Sequence, residues 1–462
     1  MTHLDRFIKY FEKESGSRPK RGPSINSVYH YTRSSEGSRN RIHLRLDPDG
    51  SGVLIVNANF LYHLNPSAAR MAYLSLEQLP EDEIIRKLGL EYNAPQRQIR
   101  NDFLSFNSQL QGLISPSGSC PICDYEIEAS TPFSHSPSAP YRMDLAITYR
   151  CNNNCSHCYN SRSRNFPELE TGLWNEILEK LWSYGIPHIV FTGGEPTLRK
   201  DLPVLIHTAE SLGQITGVNT NGRLLKDLSY VQELIDAGLD HIQITFESHE
   251  ESVHDLMVER TGAWRETSLG IQNALNRNLF VMTNTTLLQE NSRYLKQTLE
   301  YLGELGVPTV GLNALIYSGA GRTVGTGLAE SDLPRLLDIA REITDRYHQR
   351  LIWYTPTQYC HFDPVQMNFG IKGCTAALYN MCIEPDGSVL PCQSYYAPVG
   401  NILFDNWSSI WNHPLALKLR ERKNLQEKCY GCSFLTECGG GCPLALNQLE
   451  PDPEKFASEL LL

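Results

Sequence analysis

Residues 144–158, DLAITYRCNNNCSHC, decide how this chain is read. An apolar, β-prone run ends there, and three cysteines and a histidine follow within eight residues. Cys151, Cys155 and Cys158 are spaced C-x3-C-x2-C, one thiol short of the four ligands that close a structural zinc site. A reactive metal centre keeps one coordination position open instead. The loop by itself allows both, so its surroundings must choose.

Working outward, DLAITYR, HIVFTGGEP, QITGVNTNG, HIQITFES, LFVMTNTTLL and PTVGLNALIYSG read as six strands. Amphipathic stretches follow them as helices, among them GLWNEILEKLWSYG, SYVQELIDAG, YLKQTLEYLGELG and SDLPRLLDIAREITDRYHQ. Regular βα alternation implies a parallel sheet with right-handed crossovers. Six units predict an α/β domain over residues 140–347, a partial (β/α)6 TIM barrel rather than a closed eight-unit one. Active sites of such barrels lie in the loops at the C-terminal ends of the strands. The cysteines occupy the first of those loops.

CNNNCSHC after the first strand and GGEP (Gly193, Gly194, Glu195, Pro196) after the second resemble the radical S-adenosylmethionine (radical SAM) enzymes over about residues 140–345. The resemblance implies a 4Fe–4S cluster on Cys151, Cys155 and Cys158, its fourth iron left for S-adenosyl-L-methionine. Iron–sulfur clusters take thiolate ligands and reach potentials down to about −700 mV. A low-potential electron is what breaks the sulfonium C–S bond to release a 5′-deoxyadenosyl radical. The alternative is an incomplete zinc knuckle completed by a ligand such as His157. By the same resemblance, the GGEP backbone receives the cofactor's ammonium, Glu195 shapes that wall, and Tyr159 stacks near the adenine. Thr220 and Asn221 (VNTNG) with Thr245 and Glu247 (QITFES) face the methionyl carboxylate and the ribose; the plain alternative is local bonding at strand ends. Arg260 in VERTGAW either pairs with the carboxylate or is a solvated surface arginine. No side chain is singled out as catalytic.

The thirteen cysteines fall into groups: Cys120 with Cys123, the triad, and eight between Cys360 and Cys442. Clustered cysteines in a reducing compartment point to metal sites rather than disulfides. CTAALYNMCIEPDGSVLPC has the form C-x12-G-x4-C through Cys374, Gly387 and Cys392, with Cys382 between. CYGCSFLTECGGGC is C-x2-C-x5-C-x3-C through Cys429, Cys432, Cys438 and Cys442. EPDG reads as a turn, forming a hairpin that presents the flanking cysteines. Residues 348–450 resemble a SPASM/twitch domain, which implies one or two auxiliary 4Fe–4S clusters. Carried over by position, the first takes Cys374, Cys392 and Cys442 plus Cys382 or Cys360, and the second takes Cys429, Cys432 and Cys438. The usual final cysteine is missing from PLALNQLEPDPEKFASELLL. The second cluster then has an open iron, a carboxylate such as Asp452 or Glu454, or no separate existence; two zinc sites are the remaining alternative.

Residues 1–40 read as an extension, 117–139 as a Ser/Pro-rich linker carrying Cys120 and Cys123 (SCPICD), and 451–462 as a tail. Cys120 and Cys123 either complete a metal site or stay free. Between extension and linker, residues 41–116 hold no cysteine. There a strand pair leads to an Asn65 cap with Pro66 opening a helix, then two more amphipathic helices, LPEDEIIRKLGLEY and NAPQRQIRNDFLSFNSQLQGLI. This order predicts a winged-helix-like domain, and LNPSAA with DFLSFNSQLQGLI resembles the PqqD-like peptide-recognition element. The resemblance implies leader-peptide binding, with VLIVNAN as the receiving edge and Arg97 and Arg100 attracting an acidic leader. Packing without a ligand is the plain alternative.

The 462 residues, 41% hydrophobic and 20% charged, describe a globular chain with room for several cores. A net charge of −11 gives no reason to expect a nucleic-acid partner. MTHLDRFIKYFEKESGSRPKRG lacks the apolar core of a signal peptide, and no run is long enough to span a bilayer. The expectation is a cytoplasmic peptide-modifying enzyme whose substrate carries a leader sequence. Flavodoxin or ferredoxin would reduce it, and it would have no membrane partner. A haem-type precursor, a partner enzyme to mature, or an electron-carrier role are the other readings.

Overall fold

The computed structural model describes residues 28–35, 38–57, 60–114, 137–277, 279–423 and 425–446. They divide into two compact units, the first running to Ile114 with Ser183–Gly185, the second taking the remainder from Pro137. Cys120, Cys123, Asp452 and Glu454 lie outside the described residues.

The first unit is an antiparallel sheet of four strands, β1 (Val28–Ser35), β2 (Ser38–Leu46), β3 (Gly52–Val56) and β4 (Phe60–Leu64), in sequential order. Helices α1 (Pro66–Leu76), α2 (Glu81–Glu91) and α3 (Gln96–Ile114) follow. Asn65 caps α1 as expected, its side chain accepting from the Ala68 amide at 2.8 Å. Ile42, Leu44, Leu54 and Val56 of the sheet meet Ala69, Ala72 and Leu76 of α1 and Leu110 and Ile114 of α3 in one core. The sheet starts at Val28, ahead of residue 41, because the polar-rich VYHYTRSS gives little apolar signal yet pairs along β2. The strand within VLIVNAN, β3, pairs with β2 and β4 and is buried throughout, so it offers no edge. The edges are β1 and β4. Arg100 is committed as well, ion-paired to Glu81 and Asp82 on α2.

In the second unit, β5 (Arg142–Thr148), β6 (His188–Gly193), β7 (Ile215–Thr220), β8 (His241–Thr245), β9 (Phe280–Thr286) and β10 (Thr309–Asn313) form the expected parallel series. Helices return the chain between them: α4 (Thr171–Ser183), α5 (Leu202–Leu212), α6 (Leu228–Asp236), α7 (Glu251–Met257), α8 (Ala263–Asn276), α9 (Leu295–Glu304) and α10 (Leu333–Arg346). Beyond the six units, β11 (Arg350–Trp353) adds a seventh parallel strand beside β10. At four residues it is too short to announce itself by pattern. On the other side, β12 (Asn380–Ile383) lies parallel to β5 and leads into β13 (Ser388–Leu390) and β14 (Gly400–Asn401). The sheet therefore runs from β11 to β14 without closing.

A polar pair is embedded in this sheet. His188 on β6 and His241 on β8 meet at 2.9 Å across β7, where Gly217 has no side chain to separate them. A Cβ on Gly217 would lie 2.1 Å from the His241 ring. Burial lowers His241 to about 4, and it lowers His254 to about 4 likewise. Below the ordinary histidine value near 6.5, the unfolded chain takes up protons that these folded residues refuse. Stability should therefore be full above pH 6.5, fall as pH drops toward 4, and level off below. The upper limit is roughly 3 kcal/mol per histidine. Unfolding midpoints measured across that window should show the slope, and His241→Gln should reduce it by about half, leaving the His254 part.

Candidate active site

Where β5 ends, the chain enters the cysteine loop, and its backbone is held from several sides. The Asn154 amide donates at 3.0 Å to the Val258 carbonyl and the Ser156 amide at 3.0 Å to the Met257 carbonyl, at the C-terminal end of α7. Arg164 donates to the carbonyls of Cys151 (2.7 Å) and Asn153 (2.5 Å). Arg223 reaches the Asn152 carbonyl at 2.6 Å, and Arg260 reaches the same oxygen at 3.0 Å. Arg260 is thus a strap on the loop rather than a free surface charge. Arg223 also pairs with Glu266 at 2.6 Å, which offsets part of the positive charge the three guanidinium groups bring to the loop.

The thiols lie inside this frame. Burial pushes Cys151 up to about 11, with the Glu195 carboxylate adding to it. Cys155 and Cys158 are raised as well, again chiefly by burial. Thiolates here require a bound cation, which deprotonates its ligands outright. None of the described cysteines is in a disulfide. Among the described residues no three or more His, Cys, Asp or Glu side chains converge on a single ion. A tetrahedral zinc with Zn–S near 2.3 Å needs sulfurs about 3.8 Å apart, whereas thiolates on different irons of a cluster stand farther apart. His157, the fourth ligand of the zinc alternative, has its Nε2 3.0 Å from Glu247. Its Nδ1 is buried without a hydrogen-bond partner. This donor set fits an iron–sulfur cluster held by three thiolates.

GGEP forms the neighbouring wall by closing on the exit of β5. The Gly194 amide donates to the Thr148 carbonyl at 2.7 Å, and the Glu195 amide to the Arg150 carbonyl at 2.8 Å. A Cβ on Gly193 would lie 2.0 Å from the Thr148 oxygen, and one on Gly194 2.4 Å from the Arg150 oxygen. Gly193 also has φ +132°, a conformation side chains avoid. Glu195 is fully buried, and both its oxygens are used. One accepts from the Thr197 amide (3.1 Å), the Thr197 hydroxyl (2.6 Å) and the Thr220 hydroxyl (2.7 Å); the other accepts from the Asn221 amide at 2.7 Å. Pro196 opens the single turn that Glu195 caps.

The other candidates are also tied into the protein. Thr220 accepts from the Gly222 amide at 3.0 Å, and Asn221 donates to the Asn152 side chain at 2.6 Å, joining β7 to the cysteine loop. Glu247 is buried; besides His157 it accepts from the Thr286 amide at 2.9 Å. Thr245 ends β8, half-buried. The Tyr159 hydroxyl donates to Gln393 at 3.3 Å, and burial raises its pKa. Sequence reasoning did not find Arg164, Arg223 or the His157–Glu247–His254 chain, in which His254 accepts from the Glu247 amide at 3.2 Å. Their separations along the chain carry no local pattern.

C-terminally, EPDG makes the expected turn, with the Gly387 amide bonded to the Glu384 carbonyl at 2.9 Å and φ +87° at Gly387. Burial pushes Cys374 up to about 12, and Cys442 raises it further. Cys392 is raised by burial and by both of these neighbours, so the three thiols form one group. Cys382 lies on β12, packed with Ala146, Tyr149 and Leu390.

Gly193→Ala should break the closure of β6 on the cysteine loop. Anaerobically reconstituted protein should then retain severalfold less iron at the triad. Gly172→Ala, where nothing lies within 4 Å, should leave iron content unchanged.

Comparison with known proteins agrees with this geometry. Residues 145–302 match the radical SAM superfamily, and residues 374–433 match an iron–sulfur cluster-binding domain, SPASM. The chain is 27% identical over 327 residues to Fe-coproporphyrin III synthase of Methanosarcina barkeri, covering 64% of this chain and 81% of that one. It is 29% identical over 318 residues to the PqqA peptide cyclase of Bradyrhizobium diazoefficiens, covering 66% and 81%. In fold it is similar to Streptococcus suis SuiB bound to its precursor peptide SuiA, with a TM-score of 0.65, 16% identity, and coverage of 92% and 98%. The chain carries a radical SAM domain and a C-terminal SPASM iron–sulfur domain, which imply 4Fe–4S clusters and S-adenosylmethionine as its cofactors.

Proposed function

We propose that this chain cleaves S-adenosylmethionine reductively and modifies a ribosomally made peptide. The observation that carries the first half is the partly buried thiol triad, framed by GGEP at the end of β6 and by three arginines that hold the loop. Cofactor and cluster, when bound, supply a 5′-deoxyadenosyl radical after one-electron cleavage of the sulfonium C–S bond. The protein's own part is to exclude water from the loop, hold its carbonyls through Arg164, Arg223 and Arg260, and fix the strand ends through Glu195. The GGEP backbone, with Tyr159, Thr220, Asn221, Thr245 and Glu247 around it, is where the cofactor would lie. The C-terminal thiols would hold auxiliary clusters, the first on Cys374, Cys392 and Cys442. Flavodoxin or ferredoxin would deliver the electron, in the cytoplasm; no helix among the described residues is long and apolar enough to cross a membrane.

Support for a peptide comes from the peptide cyclase relative, from the fold shared with a precursor-bound enzyme, and from the first unit. A leader can add a strand to an exposed sheet edge, where backbone bonds give affinity. Here that edge is β4, whose Phe60 and Leu61 are exposed apolar side chains. The Fe-coproporphyrin III synthase relative favours a second reading, a haem-type precursor as substrate.

Cys151→Ala, Cys155→Ala and Cys158→Ala should each abolish 5′-deoxyadenosine formation with dithionite and S-adenosylmethionine under anaerobic conditions. Chromatography of the nucleoside product checks it, and substantial turnover in any one variant rejects the cluster. An electron carrier would release no 5′-deoxyadenosine at all.

Removing residues 1–116 should leave that cleavage intact while product formation from a full-length precursor falls at least tenfold. Equal processing by the shortened and full chains, followed by mass spectrometry, would reduce the first unit to packing.

A further inference from the structure

The cysteines 429, 432 and 438 have a fourth sulfur beside them, and it comes from upstream. After β11 the chain runs through Thr357, Gln358, Tyr359 and Cys360 against the segment that holds the three. The Tyr359 amide donates to Cys438 Sγ at 3.4 Å, and Cys438 Sγ donates to the Thr357 carbonyl at 3.6 Å. Lys428, next to Cys429, donates to Gln358 Oε1 at 2.9 Å, and Cys360 Sγ lies 3.8 Å from the same oxygen. The Tyr359 and Phe434 rings lie 6.3 Å apart, closing the other side.

The next four residues separate this group from the first. Gly439, Gly440 and Gly441 have φ of +59°, +82° and +82°, which carries the chain round from Cys438 to Cys442. A Cβ on Gly441 would stand 3.0 Å from Gln358 Cγ, so the turn seats directly on the upstream segment. Cys442 thereby joins Cys374 and Cys392, and Cys360 stays with the other three. The residues after Cys442 include no cysteine in this sequence.

We propose that Cys360 is the fourth thiolate of the second auxiliary 4Fe–4S cluster, beside Cys429, Cys432 and Cys438. On binding, its thiol proton leaves to solvent and the sulfur takes the remaining iron; no electron is transferred. Four cysteine thiolates are the ordinary ligation of such a cluster, and here the set is completed from 69 residues before Cys429 rather than from after Cys442. The assignment rests on the reading that Cys429, Cys432 and Cys438 hold a cluster.

The test uses the full chain with Cys151, Cys155 and Cys158 all changed to Ala, so that only auxiliary clusters remain. After anaerobic reconstitution, about eight irons per chain are expected from two clusters of four. Cys432→Ala in this background should remove about four of them. Cys360→Ala should do the same, or keep the iron and shift the dithionite-reduced electron paramagnetic resonance signal that Cys432→Ala removes. Cys360→Ser, which folds with a near-isosteric side chain and offers an oxygen ligand, should shift that signal while retaining iron. The assignment is overturned if both Cys360 variants match the parent in iron and spectrum while Cys432→Ala loses a cluster. If Cys432→Ala also matches the parent, the second cluster is absent and the underlying reading falls with it.

Discussion

The close approach of Gly193 and Gly194 to the carbonyls of Thr148 and Arg150 is the constraint on which the site depends. At 2.0 and 2.4 Å from a would-be Cβ, these contacts admit no side chain, so β6 can press on the exit of β5 only through glycine. The register between the two strands shifts at this point, between Ala146 and Thr148, and the cysteine loop leaves from the irregularity. Glu195 then fastens the same corner to the end of β7 with two hydrogen bonds, from Thr220 and Asn221, and holds its own turn with two more from Thr197. An uncompensated carboxylate at that depth would cost several kcal/mol; with its donors supplied it becomes a rigid post. Positioning of the triad thus draws on three adjacent strand ends together with the loop's own Arg164 and its bonds to the end of α7.

A second consequence concerns charge. Thiols drawn partly out of water resist ionisation, and the three arginines that hold the loop do so through its carbonyls, Arg223 pairing with Glu266 as well. Arg164 lowers the cost of a Cys151 thiolate, while Glu195 raises it. Burial opposes the charged form of His157, but Glu247 at 3.0 Å outweighs it and holds the imidazole above its ordinary value. Thiolates formed there on metal binding would find the Arg164 guanidinium already in place as a counter-charge.

What the sequence revealed and what it hid divide along a physical line. The triad, GGEP, EPDG and the Asn65 cap are local: their residues lie within a few positions, and each needs specific residue types for a steric or bonding reason. Six strands were legible because their apolar runs alternate with amphipathic helices. RLIW of β11 and VYHYTRSS of β1 were not, being too short in one case and too polar in the other. The position of β3 in the sheet interior was also hidden, since strand order depends on pairing with β2 and β4 together. Arg100 read as an open charge because Glu81 and Asp82 lie on a different helix. Partners across long separations, such as Asn152 with Arg260 or Glu247 with His157, have no sequence signature at all.

The C-terminal hairpin is coupled to the cysteine loop by the same kind of distant contact. β12 adds to the parallel sheet beside β5, so Cys382 stands opposite Asp144 in register. From the turn that follows, Glu384 receives a two-pronged pair from Arg162 at 2.7 and 2.9 Å and the Tyr149 hydroxyl at 3.1 Å. Arg162 lies over the rings of Phe166 and Tyr396, which covers the charge with apolar surface. Tyr149 precedes the first cysteine and Arg162 follows the last, so one buried carboxylate grips both ends of the cysteine loop. A bidentate pair on a buried carboxylate is geometrically strict, and it ties the hairpin that carries Cys392 to the loop that carries Cys151. The spacing between the two groups of thiols is therefore set by a continuous sheet and one ion pair, rather than by a flexible connection between independent domains.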